Sequence, residues 1–172
     1  RGCLYVDKTA LVNKLAREGK PYFLSRPRRF GKSLLLSTME AYFCGKKDLF
    51  RGLALENLEK NWIVYPIIKI SFGRSSYETK ENLLAVIDNV LGEHESLFGL
   101  VKSSDNPSVR FDNLIRAVFE KTGRQVVILI DEYDKPILDA LYTEYEEQNR
   151  QELRSFYSPL KDSDRYIKFL FI

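Results

Sequence analysis

Tyr22-Phe23-Leu24-Ser25-Arg26-Pro27-Arg28-Arg29-Phe30-Gly31-Lys32-Ser33 is the stretch on which the fold turns. Its short apolar start reads as a strand and is followed by a basic loop. From Lys32 onward, Leu35, Met39 and Tyr42 or Phe43 recur one turn apart, which predicts a helix over 32–43 that stops at Gly45. Strand, tight loop and helix are the frame of the phosphate-binding pattern G-x-x-x-x-G-K-[ST]. Gly31, Lys32 and Ser33 match it in order, while Arg26 stands where the first glycine is expected. The chemistry fits the match. The free N–H groups and dipole of a helix's first turn favour an anion there. Gly31 lets backbone approach a phosphate with no Cβ in the way. Lys32 can reach β and γ phosphates, and the Ser33 hydroxyl can ligate Mg²⁺. The candidate nucleotide-binding set is therefore Arg26, Pro27, Arg28, Arg29, Phe30, Gly31, Lys32, Ser33 and Leu34. Arg26 before Pro27 stiffens the exit from the strand, and the three arginines can supply phosphate contacts that the backbone loses.

A bare G-K-[ST] arises by chance in roughly one chain in ten of this length, so a second element is needed. Val126-Val127-Ile128-Leu129-Ile130 is the most apolar run of the chain and reads as a strand buried on both faces, as in a parallel sheet. It ends directly in Asp131-Glu132. An Asp at such a strand tip can hold Mg²⁺, directly or through water, and a Glu after it can orient and deprotonate an attacking water. Ser33 and Asp131 are thus the candidate metal ligands, and Lys32 and Glu132 the candidate catalytic residues. The Asp-Glu pair suits hydrolysis, whereas a small-molecule kinase has no need of the Glu. The plainer reading of the same segment is a loop in which Asp134 caps a helix with Pro136 in its first turn.

Working outward, Asp7 can cap a first helix that carries Leu11, Val12 and Leu15 on one face and ends at Gly19 and Pro21. Residues 46–64 read as helix-poor. Tyr65 to Phe72 is a second strand closed by Gly73. Helices are predicted over 77–91 and 111–121, the latter turned into the apolar strand by Thr122-Gly123. One long polar helix is predicted over 137–160, and Ile167 to Ile172 is a last strand. Strands alternating with helices predict a three-layer α/β domain with a parallel sheet. The acidic run 144–147 reads as a solvated helix face, and His94, between two glutamates, as exposed. Trp62, Tyr65 and Phe72 read as core or sheet-edge aromatics. Tyr5, Asp7 and Lys8 have two readings, neighbours of a nucleotide base or a helix cap with surface charge.

Composition narrows the classes. With 172 residues, 44% hydrophobic and 30% charged, the chain is one globular domain of ordinary size. A net charge of +3 is too small to imply a nucleic-acid or membrane surface. Cys3 and Cys44 follow no metal or redox spacing, and a single histidine excludes multi-His metal sites and argues against a histidine-based triad. No apolar stretch approaches the ~20 residues of a membrane span. A reducing, cytoplasmic setting is the simplest expectation. Arg1 at the start and an apolar run at the end are read as those of a fragment from a longer protein.

Three segments together resemble the AAA-ATPase-like proteins of bacteria and archaea. They are Tyr5-Val6-Asp7-Lys8-Thr9, Phe23 through Ser33 with its Arg-Pro-Arg-Arg-Phe-Gly-Lys-Ser run, and Leu129-Ile130-Asp131-Glu132-Tyr133-Asp134-Lys135-Pro136. With the Tyr65–Phe72 strand they span nearly the whole chain. The resemblance implies an ATPase core of the ASCE type, in which an additional strand, here 167–172, lies between the phosphate-loop strand and the Asp-Glu strand. It also implies that Arg26 is usual at its position, that ATP is preferred to GTP, and that a nuclease-like domain of the PD-(D/E)xK type commonly follows in the longer protein. The expected function is Mg²⁺-dependent ATP hydrolysis coupled to a conformational change. The alternative is a nucleotide-switched binding module for DNA or a protein effector, with little turnover; a homo-oligomer is a further expectation, and a membrane partner is not.

Overall fold

Val126–Ile130, the apolar run, is buried at every position and forms an interior strand of a four-stranded, all-parallel sheet. The computed structural model describes residues 5–19, 21–25, 30–73 and 75–172; Arg26, Pro27, Arg28 and Arg29 of the expected nucleotide-binding set lie outside the described residues. In chain order the elements are α1 (Thr9–Glu18), β1 (Pro21–Tyr22), α2 (Lys32–Phe43), α3 (Ala54–Leu58), β2 (Ile67–Ser71) and α4 (Lys80–Leu97). Then come α5 (Pro107–Thr122), β3 (Val126–Asp131), α6 (Lys135–Asp139), α7 (Glu146–Tyr157), α8 (Pro159–Asp162) and β4 (Ile167–Phe171). Strand order is β1-β4-β3-β2, so the last strand lies between the first and the Asp-Glu strand. β1 is short as a ladder, but Ile172 N–H donates to Tyr22 O and Leu24 N–H to Ile172 O, which carries the pairing past Tyr22.

Alternation along β3 builds the three layers. Val127 and Leu129 face α1 and α2 through Val12, Leu36, Met39 and Phe43. Val126, Ile128 and Ile130 face α4, α5 and α7 through Leu83, Ile87, Phe111, Ile115 and Phe156. A strand covered on both sides has no polar face to show, which is why this one reads as an unbroken apolar run. Among the described residues no helix is long and apolar enough to cross a membrane.

Local chemistry sets the helix ends. α2 spans the expected 32–43. α4 starts at Lys80, later than expected, because the Thr79 side chain accepts from Asn82 N–H. α5 starts at Pro107, earlier than expected: Asn106 Oδ1 accepts from Ser108 and Val109 N–H, and Pro107 has no N–H to lose. Gly123, at φ 65°, ends α5 in the left-handed conformation that glycine adopts freely. Between α4 and α5, buried Arg110 donates to both oxygens of buried Glu95 and to Asp88.

Two expectations are corrected. The single helix over 137–160 is three helices. Ala140 O accepts both the amide and the hydroxyl of Thr143, Tyr142 turns to φ 65°, and Pro159, lacking an N–H, starts α8 after Ser158. Buried Asn149 fixes the break by donating to Pro136 O and to Tyr77 O across the fold. His94 is half-buried rather than exposed. Its Nε2 lies 3.1 Å from Lys69 N and 2.9 Å from Lys69 O, on the outer edge of β2.

Candidate functional site

Because the sheet is parallel, the exits of β1 and β3 share its carboxyl edge. A direct contact joins them: the ring of Phe23, just past β1, meets the ring of Tyr133 edge-on at 5.1 Å, two residues past Asp131. The remainder of the β1–α2 connection returns at Phe30. Gly31 has φ 80° and its carbonyl accepts Leu35 N–H, so it is the left-handed pivot from which α2 departs. Lys32 follows half-buried, and Ser33, Leu34 and Phe30 are exposed. The first N–H groups of a twelve-residue helix thus open beside a lysine and a hydroxyl.

At the tip of β3, Phe72 N–H donates to Asp131 O, extending the β2–β3 ladder by one step. Asp131 Oδ1 accepts the Glu132 N–H at 3.1 Å. Its other oxygen makes no hydrogen bond among the described residues. Glu132 itself has φ 52°, a conformation costly for a residue with a Cβ and one that clusters at functional sites. Its carboxylate lies over Gly73: a Cβ there would fall 2.9 Å from Oε2. Gly73 follows β2, so the carboxylate stands on the side of β3 away from β4 and β1.

The surroundings of this tip were not foreseen. Lys135 Nζ donates to Ser75 O and to Asp139 Oδ2, and lies 5.3 Å from the centre of the Tyr77 ring. Burial, with the charges of Asp139 and Glu132, pushes the Tyr77 hydroxyl up to about 12. Lysine and asparagine therefore bind the turn after β2 to the segment after Asp131-Glu132. The i,i+4 spacing of Lys135 and Asp139 is visible in the sequence, but the long-range partner, the Ser75 main-chain carbonyl, is one that no side-chain pattern announces.

Asp7 has a definite use. Oδ1 accepts the amide and hydroxyl of Thr9, and Oδ2 accepts Ala54 N–H at 2.7 Å. Buried Thr9 in turn accepts Leu55 N–H at 3.1 Å. The pair clamps the start of α1 to the start of α3, with Asp7 acting from one residue before Lys8, the N-cap of α1, rather than from the cap position itself. The Ala54 amide first, then Thr9, holds the Asp7 carboxyl below its ordinary value. A carboxyl lowered in the folded state stabilises above its unfolded pKa and ceases to do so as pH falls through the folded value. The stability advantage over Asp7→Asn is thus expected at neutral pH and to disappear in acid, measured by urea midpoints. Thr9→Val, which strands the buried Leu55 N–H, is expected to cost about 1–3 kcal/mol in the same measurement.

Among the described residues no group of three or more His, Cys, Asp or Glu side chains is gathered for a metal ion. A two-ligand set such as Ser33 and Asp131 is the kind that Mg²⁺ uses when phosphates and waters complete its shell. No solved structure matches the chain. A relative from Azotobacter chroococcum mcd 1, named as an uncharacterized protein in the vnfD 5' region, is 42% identical over 166 residues. The match covers 96% of this chain and 32% of that protein, so the chain spans about a third of its relative's length. The family described as predicted AAA-ATPase matches residues 1–172, end to end, and the chain belongs to this AAA-ATPase-like family.

Proposed function

We propose that the chain is an ATP-binding domain of the ASCE type that hydrolyses ATP with Mg²⁺ and couples hydrolysis to a conformational change in a longer protein. The observation that carries the proposal is the shared edge: the loop into α2 and the Asp131-Glu132 tip leave parallel strands on the same side, tied by Phe23 and Tyr133. Family membership favours ATP as the nucleotide. In this reading Gly31 and the first turn of α2 receive the phosphates, with the basic loop 26–29 adding cations. Lys32 neutralises β and γ phosphate oxygens. Ser33 and Asp131 would hold Mg²⁺, which when bound offsets phosphate charge. Glu132 takes the proton of the attacking water.

Calorimetry with Mg-ATP, Mg-GTP and ATP plus EDTA tests this. Binding of Mg-ATP that weakens on chelation is the expected result; equal heats with and without Mg-ATP in the cell would overturn it. One observation favours the second reading, a nucleotide-switched binding module. The Glu132 carboxylate rests over Gly73, on the far side of β3 from β1, so turnover requires it to leave that seat.

A further inference from the structure

The break at 140–145 presents an aromatic side chain in an unusual way. Tyr142 is 93% exposed at φ 65°, a backbone conformation that disfavours any residue with a Cβ. Its turn is held firmly: Tyr142 N–H donates to Glu146 Oε2, Glu146 is held by Arg150, and Thr143 donates twice to Ala140 O. Leu138 and Leu141 are exposed beside it. A strained backbone fixed in place and displaying an aromatic ring costs stability without adding to the core. Tyrosines of this kind, rigid and ringed by polar groups, are what protein interfaces use as anchors.

The surroundings state the chemistry of what is anchored. Residues 75–81 and 135–152 carry seven carboxylates against three cations, in a chain whose net charge is +3. They form one surface, since Lys80 pairs with Glu152 and Asn149 ties Tyr77 to Pro136. Among the described residues Glu78, Glu81 and Glu144 have no cationic partner. Glu144 first, and Glu81 last among the causes, raise the Tyr145 phenol. This potential repels a phosphate backbone. It attracts lysine and arginine, and the exposed leucines and Tyr142 offer contact to apolar side chains between them.

We propose that the turn around Tyr142, with the carboxylates of Glu144, Glu146 and Glu147 beside it, docks a cationic, apolar-bearing segment of a partner protein. The surface adjoins the Lys135–Ser75 tie and so the seat of Glu132. It does not depend on which nucleotide the chain takes.

The test uses the 172-residue chain and a fluorescent amphipathic peptide of leucine and lysine, with the glutamate-for-lysine peptide as its control. Anisotropy should show binding of the lysine peptide, weakened by salt, and none of the glutamate peptide. Tyr142→Gly removes the ring and suits a positive φ; it should weaken binding about tenfold while raising the thermal midpoint. Glu144→Lys with Glu147→Lys should weaken it at least about tenfold. Asp48→Lys, on the α3 side of the sheet, should leave it unchanged. Equal binding of the two peptides, or no loss in either variant, overturns the proposal. So does self-association of the parent that Tyr142→Gly abolishes in the absence of peptide, or binding of a DNA duplex that Tyr142→Gly abolishes.

Discussion

Lys32→Ala is expected to weaken Mg-ATP binding by about 2–4 kcal/mol, the cost of removing one partner of a desolvated charge pair. That is a loss of roughly thirtyfold to several hundredfold in Kd, readable by calorimetry. Lys32 is half-buried at the first position of α2. Alanine is the best helix former, so α2 keeps its start and the fold should be unaffected. Unchanged urea midpoints with lost binding would locate the effect at the phosphates. Unchanged binding would remove nucleotide from the reading of Gly31-Lys32-Ser33.

Glu132→Gln is expected to leave Mg-ATP binding nearly intact and to slow phosphate release at least about a hundredfold. The amide has the shape of the carboxylate and can take the same seat over Gly73 at the same φ of 52°. It cannot accept the proton of water, so the loss falls on the transition state rather than on the bound nucleotide. This separates the two variants: one loses binding, the other turnover. If Glu132→Gln released phosphate as fast as the parent, the hydrolytic mechanism would be abandoned for the nucleotide-switched binding module.

What could be read in advance followed from local rules. Burial on both faces writes itself as an unbroken apolar run, so β3 and its Asp-Glu end were legible, as was α2 from its spacing. The place of β4 came from family resemblance; nothing in Ile167–Ile172 says which strands it separates. The break at 140–145 escaped because its causes are distant: Asn149 looks like any polar helix residue until its amide finds Tyr77 O, far back in the chain. The seat of Glu132 escaped for the same reason. Gly73 reads as a strand's end, and its missing Cβ acquires meaning only when β2 lies beside β3.

The imidazole of His94 has a consequence for the protein in crowded solution. β2 is an outer strand, and such strands invite recruitment of foreign strands and, from there, aggregation. At Lys69, the middle of the five-residue strand, one nitrogen faces both main-chain groups and can serve either according to its tautomer. An arriving strand finds its central rung taken, with open positions only near the ends, too few for a lasting pairing. One ring on one rung thereby keeps this border of the sheet from growing.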